Sequence, residues 1–170
     1  MNSVPILRSA QSHDMSKVRE MIATIMRELG MSDATGCALS DLEDVDAAYR
    51  RRDGFFDLMV DEEGEVVGCV GLWRLDARTA ELRRMYLAAP WRGWGLGRLL
   101  LSHALRRARE LGYHRIEAAT ARSMMRAIAL YESVGFERTT VAGDAAAAAA
   151  TGCDLRLRLD LDRASGFGLV

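Results

Sequence analysis

Hydrophobic positions along this chain change period several times, and each change marks an element. Residues 4–9 read as a first strand. Residues 13–29 place Val18, Met21, Ile22, Ile25, Met26 and Leu29 at helical spacing, and Gly30 stops the run. The stretch 31–39 is small and polar, a loop. Ser40-Asp41-Leu42-Glu43 has the form of a capping box and predicts a second helix to about Arg52. Residues 55–61 and 65–75 are strands joined at Glu62-Glu63-Gly64, a tight hairpin signal. Residues 79–88 form a fourth strand, ended by Pro90, which cannot donate to a ladder. Residues 97–111 are an amphipathic helix with Leu100, Leu101, Ala104, Leu105, Ala108 and Leu111 inward, ended by Gly112. A short strand spans 115–120. Ser123 caps a fourth helix through Val134, with Gly135 in the C′ role. Residues 136–141 and 153–160 are the last strands. The latter alternates Leu155, Leu157, Leu159 and Leu161 with Asp154, Arg156, Arg158 and Asp160, the period of an antiparallel strand with one wet face. The resulting order, β-α-α-β-β-β-α-β-α-β-β, predicts an α/β fold: one mixed sheet with helices on its faces.

Composition narrows the function classes. The chain has 170 residues, 49% hydrophobic and 28% charged, which suits one domain (1–170) with a full core. A net charge of −1 disfavours nucleic acid and anionic membranes as partners. There is no apolar run of membrane-spanning length and no basic-then-apolar leader. Cys37, Cys69 and Cys153 are scattered and lack metal spacing, so they read as reduced thiols of a cytoplasmic protein. No metal site is expected. His13, His103 and His114 form no ligand pattern, which suggests surface or packing roles. Six alanines at 145–150 are too few to hold a helix unaided and read as a loop.

The junction between the fourth strand and the third helix carries the chemistry. Arg92-Gly93-Trp94-Gly95-Leu96-Gly97 places N–H groups at a helix N-terminus, a setting that suits phosphate. A P-loop is excluded because no Gly-Lys-Ser/Thr follows. A dinucleotide fingerprint is excluded because Gly97 is followed three positions on by Leu100, not Gly. What remains is Arg-x-x-Gly-x-Gly, followed one strand and one helix later by Leu130-Tyr131-Glu132-Ser133-Val134-Gly135-Phe136.

These two motifs, in this order and spacing, resemble those of the GCN5-related N-acetyltransferase (GNAT) superfamily. The resemblance covers about residues 6–161, with a motif core at about 79–137. It implies the acyl-CoA N-acyltransferase fold: a mixed, mostly antiparallel sheet of about seven strands, flanked by four helices and splayed between the fourth and fifth strands. It implies acetyl-CoA as donor, with the pyrophosphate on the backbone N–H groups of Arg92, Gly93, Trp94, Gly95, Leu96, Gly97 and Arg98. The backbone around Met85, Tyr86 and Leu87 would pair with the pantetheine arm, and a bulge there would leave an N–H for the thioester oxygen.

Two side chains stand in catalytic positions by the same resemblance. Glu81 matches a family base that relays the amine proton. It is equally placed to pair with Arg83 on its own strand face. Tyr131 matches a family acid that protonates the leaving thiolate, and the alternative is a core aromatic beside Leu130 and Val134. The chain departs from the family at Met124, where many members carry a pantetheine-binding asparagine, leaving Ser123 or Arg122 to supply a polar contact.

The expected function is transfer of an acetyl group to a primary amine by direct attack in a ternary complex. A non-catalytic acyl-CoA sensor and a protein N-terminal or lysine acetyltransferase are the alternatives. Acceptor choice is expected in the first two helices, the loop 31–39 and the last strand pair. Asp33, Asp41, Glu43, Asp44 and Asp46 could draw a cationic amine or form a solvated face. Family habit adds a homodimer.

Overall fold

The computed structural model describes residues 4–30, 39–139 and 153–163. Its strands are β1 (Ile6–Ser9), β2 (Phe55–Val60), β3 (Val66–Arg74), β4 (Thr79–Leu87), β5 (Arg115–Thr120), β6 (Glu137–Thr139) and β7 (Leu155–Asp160). Its helices are α1 (Met15–Glu28), α2 (Val45–Ala48), α3 (Leu96–Glu110) and α4 (Met125–Ser133). All seven strands join one sheet in the order β1-β2-β3-β4-β5-β7-β6.

Every pairing is antiparallel except β4 with β5. Parallel neighbours need a crossover, and α3 supplies it. The β4–β5 ladder runs only from Thr79↔Arg115 to Leu82↔Ala118. β4 continues to Leu87 and β5 to Thr120, so the two part beyond that point. β5 turns its other edge to β7 along its whole length. The expected splay therefore has a location: between residues 83–87 and residues 119–120.

The sheet buries both faces. α3, α4 and the inward leucines of β7 form one core with Phe55, Met59, Leu72, Leu82 and Ile116. α1 and the α2 segment form the other with Phe56, Leu58, Val60 and Cys69. Strand β2 lies between them, and all six of its residues are buried. That is why Phe55-Phe56-Asp57-Leu58-Met59-Val60 is apolar almost throughout rather than alternating.

The second helix departs from expectation. In place of one helix from 40 to 52 there is a 3₁₀ turn at Leu39–Leu42, one α-turn at Val45–Ala48 and another 3₁₀ turn at Arg50–Arg52. Asp44 rather than Ser40 caps the α-turn, accepting the Ala47 N–H at 2.9 Å. Tyr49 is the physical reason. Its ring packs between Phe56 and Trp73 and over Gly71 of β3, where an added Cβ would sit 2.8 Å from Tyr49 Cε1. Core packing of Tyr49 sets the path and overrides the local helical pattern.

Smaller adjustments occur elsewhere. α3 begins at Leu96, with Gly95 as its cap, and α4 begins at Met125, capped by Met124 rather than Ser123. The expected strand 136–141 is seen as Glu137–Thr139. The rest of that strand, the alanine run, Cys37, Asp33 and most of the loop 31–39 lie outside the described residues.

Candidate active site

The site begins at the end of β4, where the chain turns directly into α3. Gly93 and Gly95 have φ of +86° and +80°, values that L side chains adopt only under strain. A Cβ on either would meet nothing within 4 Å, so backbone conformation rather than crowding selects glycine here. The N–H groups of Gly93, Trp94 and Gly95 have no acceptor among the described residues. Those opening α3 lack intrahelical partners by construction. Together they form a concave row of donors at the positive end of a 15-residue helix. Buried Leu96, Leu100 and Leu101 anchor that helix beneath the row.

Arg92 has a different part in this geometry. Its N–H goes to the Ala89 carbonyl at 3.2 Å, and its guanidinium bonds the Leu87 carbonyl at 2.8 Å and Glu28 at 3.0 Å. It ties the loop to β4 and α1, while the available donors are those of residues 93–98. Trp94 is 78% exposed beside them.

Strand β4 carries a bulge beside the gap. Its register against β3 shifts between Cys69↔Tyr86 and Gly71↔Arg83, so Arg84 and Met85 together oppose Val70. Arg84 sits at φ +52°, one of two non-glycine residues with positive φ among those described. A buried ion pair holds it there. Asp41 accepts Arg84 Nε at 3.1 Å and Nη2 at 2.9 Å, and also accepts the Tyr49 hydroxyl. Burial alone would lower the Arg84 pKa, but Asp41 outweighs it and raises the value. The Arg84 carbonyl receives the Cys69 thiol at 3.1 Å, and burial pushes that thiol up to about 12, so it stays a proton donor.

The bulge reverses which way β4 presents its side chains. Met85 and Leu87 pack toward α3 and α4, while Glu81 and Tyr86 lie on the α1 side. Tyr131 of α4 is buried, its ring 5.4 Å from Phe136 and its hydroxyl oxygen 4.0 Å from Met85 Sδ. Burial pushes the Tyr131 phenol up to about 12, with Cys153 adding to the rise. It holds its proton at neutral pH, as a general acid must.

Glu81 is buried on the opposite side of the strand. Arg83 Nε donates to Glu81 Oε2, and Arg156 lies 3.8 Å from Oε1. Glu81 is paired with Arg83, one of the two readings the sequence offered, and it stands one residue before the β4–β5 ladder ends. Met124 interacts with Thr120 Oγ1 at 3.4 Å, and Arg122 is drawn to Asp154. Asp41, Asp44 and Asp46 are engaged within the fold, by Arg84, Ala47 N–H and Arg50 respectively. Those three need no amine to account for them.

Sequence reasoning missed the Asp41–Arg84–Tyr49 cluster. Asp41 and Arg84 are 43 positions apart, and neither lies in a recognisable motif. Only the left-handed backbone at Arg84 singles the cluster out.

A row of N–H donors at a helix head, a bulged strand whose ladder with β5 ends early, and a buried phenol 4.0 Å from that strand's Met85 suit acyl transfer. The GNAT acetyltransferase family model matches residues 23–136, and the chain belongs to that family. Among curated relatives, the Escherichia coli N-acetyltransferase YjgM is 33% identical over 138 residues, covering 78% of this chain and 82% of that protein. The N-acetylaspartate synthetase of Danio rerio is 36% identical over 104 residues, 60% of this chain but 37% of that longer protein. A GNAT acetyltransferase structure from Staphylococcus aureus Mu50 superposes with a TM-score of 0.80 at 22% identity, covering 92% and 99% of the two chains. The Salmonella typhimurium protein yncA, solved with acetyl-CoA, superposes at 0.70 with 24% identity, covering 99% and 100%. These two share the fold. The protein is an N-acetyltransferase. Among the described residues no helix is long and apolar enough to cross a membrane.

Proposed function

We propose that this chain, as one catalytic domain, moves an acetyl group from acetyl-CoA to the primary amine of a small molecule by direct attack in a ternary complex. The observation that carries this reading is the gap beyond Leu82 and Ala118, bordered by the Arg84–Met85 bulge. The edge of β4 at residues 85–87, beyond the end of the β5 ladder, would pair with the pantetheine arm as another strand would. The donors of residues 93–98 would hold the pyrophosphate, and a bulge N–H would face the thioester oxygen.

The chemistry then divides between the two sides of β4. The amine nitrogen attacks the thioester carbonyl carbon and the carbon–sulfur bond breaks. The amine proton passes through water to Glu81, and the Tyr131 phenol gives its proton to the leaving sulfur. Acid and base standing on opposite sides of the strand suits a reaction in which one group enters as the other leaves. The name of the Danio rerio relative supports an acceptor of amino-acid size.

The test is calorimetric titration with acetyl-CoA, followed by release of free CoA across a panel of amines. Binding with turnover on a small amine supports the reading. Gly95→Glu, which places bulk and negative charge among the phosphate donors, is expected to abolish binding. Unchanged affinity in that variant would remove the loop from the site, and absence of binding by the native protein would overturn the reading.

A further inference from the structure

Beyond α1 and α2, the side of the sheet that bears Glu81 carries an ordered row of charged groups. Trp73 of β3, Glu81 of β4, Glu117 of β5 and Arg158 of β7 stand in register across four strands. Two guanidinium groups converge on Trp73. Arg83 lies 4.4 Å from the ring centroid, and Arg52, from the turn before β2, lies 5.4 Å from it. Arg83 has Glu81 as its one carboxylate partner, through Nε, and Arg52 has none among the described residues. Arg156 reaches Glu81 at 3.8 Å and Glu117 at 3.6 Å, and Arg158 reaches Glu117 at 3.0 Å. Three arginines, Arg83, Arg156 and Arg158, therefore share two carboxylates, and Arg52 adds a fourth positive charge without one among the described residues. Glu137, in register with Arg158 on the edge strand, forms no ion pair with any of them.

This arrangement suits an anion better than a cation. Cation–π attraction draws both guanidinium groups to the one indole. A carboxylate beside the indole meets this positive charge and accepts planar, charge-assisted hydrogen bonds from guanidinium N–H groups. A plain ammonium would meet the opposite field, because the guanidinium of Arg83 already occupies Glu81. Of the acidic run that could have drawn a cation, Asp41, Asp44 and Asp46 already have partners within the fold.

We infer that the acceptor amine carries a carboxylate, and that Arg52 and Arg83 on the Trp73 platform bind it. The inference rests on the N-acetyltransferase reaction proposed above. Transfer of Arg83 from Glu81 to the acceptor carboxylate releases Glu81 to receive the amine proton, which crosses the distance from the bulge through intervening water. Substrate binding and readiness of the base are then one event, and an amine without the anion leaves Glu81 paired. Glu81 precedes the bulge by three residues, about 10 Å of strand. The acceptor therefore lies extended along β4, amine toward the bulge and carboxylate toward Trp73.

The test compares matched acceptors in CoA release: amino acids of increasing separation between amine and carboxylate, each beside its carboxamide and its decarboxylated amine. The acids are expected to exceed their neutral counterparts in kcat/KM by at least about tenfold. Arg52→Gln and Arg83→Gln are expected to collapse that ratio, mainly through KM for the acid, while Arg52→Lys restores part of it. The ratio is internal to each variant, so a general loss of folded protein does not imitate the result. Equal turnover of acids and amides, or preference for polyamines, overturns the inference and leaves the acetyltransferase reading standing. No CoA release with any amine overturns both.

Discussion

At the scale of single residues, environment decides what each group can do. Tyr131 is a phenol whose proton is secured by burial, which raises its pKa to about 12. Tyr131→Phe keeps the ring against Phe136 and removes only the hydroxyl. Turnover is expected to fall by about a hundredfold with acetyl-CoA affinity nearly unchanged. Steady-state kinetics beside calorimetry reads the two separately, and equal turnover would take Tyr131 out of the mechanism. Native activity should show no fall from Tyr131 ionisation until pH approaches 12, because the phenol stays protonated below its raised value. Tyr131 was singled out in the sequence because its motif is short and contiguous. Arg84 was not. Its backbone angle depends on a bulge against β3 and on a carboxylate 43 positions away, and neither leaves a mark in local pattern.

At the scale of elements, β4 carries most of the proposed site. Its first half is an ordinary parallel partner of β5, and its second half is bulged and open. The strand itself, its end at Pro90 and the glycine-led start of α3 follow from local chemistry, and the sequence reading located each within a residue or two. The second helix did not follow, because a capping pattern competes with the packing of Tyr49 over Gly71, and burial of a large aromatic outweighs a cap of about 1 kcal/mol. The same segment delivers Asp41 to the bulge. Asp41→Asn leaves Arg84 buried without a counter-charge, and stability is expected to drop by about 3 kcal/mol. Chemical denaturation measures that loss, and an unchanged midpoint would show that the ion pair is not what holds the bulge.

At the scale of the whole molecule, another buried carboxylate joins the layers. Asp57 of β2 is 1% exposed. It accepts Ser9 Oγ of β1 at 3.0 Å, faces His103 Nε2 of α3 at 2.7 Å and accepts Arg107 Nη1 of α3 at 2.7 Å. The sequence reading expected a packing or surface role for His103, and this is a packing role. Burial pushes the Asp57 carboxyl up, but His103, Arg107 and Ser9 together outweigh it and hold its pKa below the ordinary 3.8. The folded state thus binds this proton less readily than the unfolded chain. The resulting stability is present above about pH 4 and is lost as pH falls through the lowered value. Asp57→Asn is expected to lower Tm at neutral pH and to flatten the acid limb of the stability profile. Circular dichroism melts between pH 3 and 7, roughly the range in which carboxylates titrate, test this. An acid limb identical to the native one would assign the acid sensitivity elsewhere.

What the sequence determined by itself is whatever depends on neighbours along the chain. Periods of hydrophobicity set the strands and helices, glycines set the turn into α3, and two short motifs set the family. These signals are local because backbone conformation and amphipathic patterning are local. The tertiary structure decided the rest. It set where β4 and β5 part, that Arg84 takes a left-handed backbone, that the acidic run serves Arg84, Arg50 and a helix cap, and that arginines from three separate segments gather around Trp73 and Glu81. Each of these arises from contacts between residues far apart in sequence. Ion pairing and burial act through space, and no short window of the chain holds both partners.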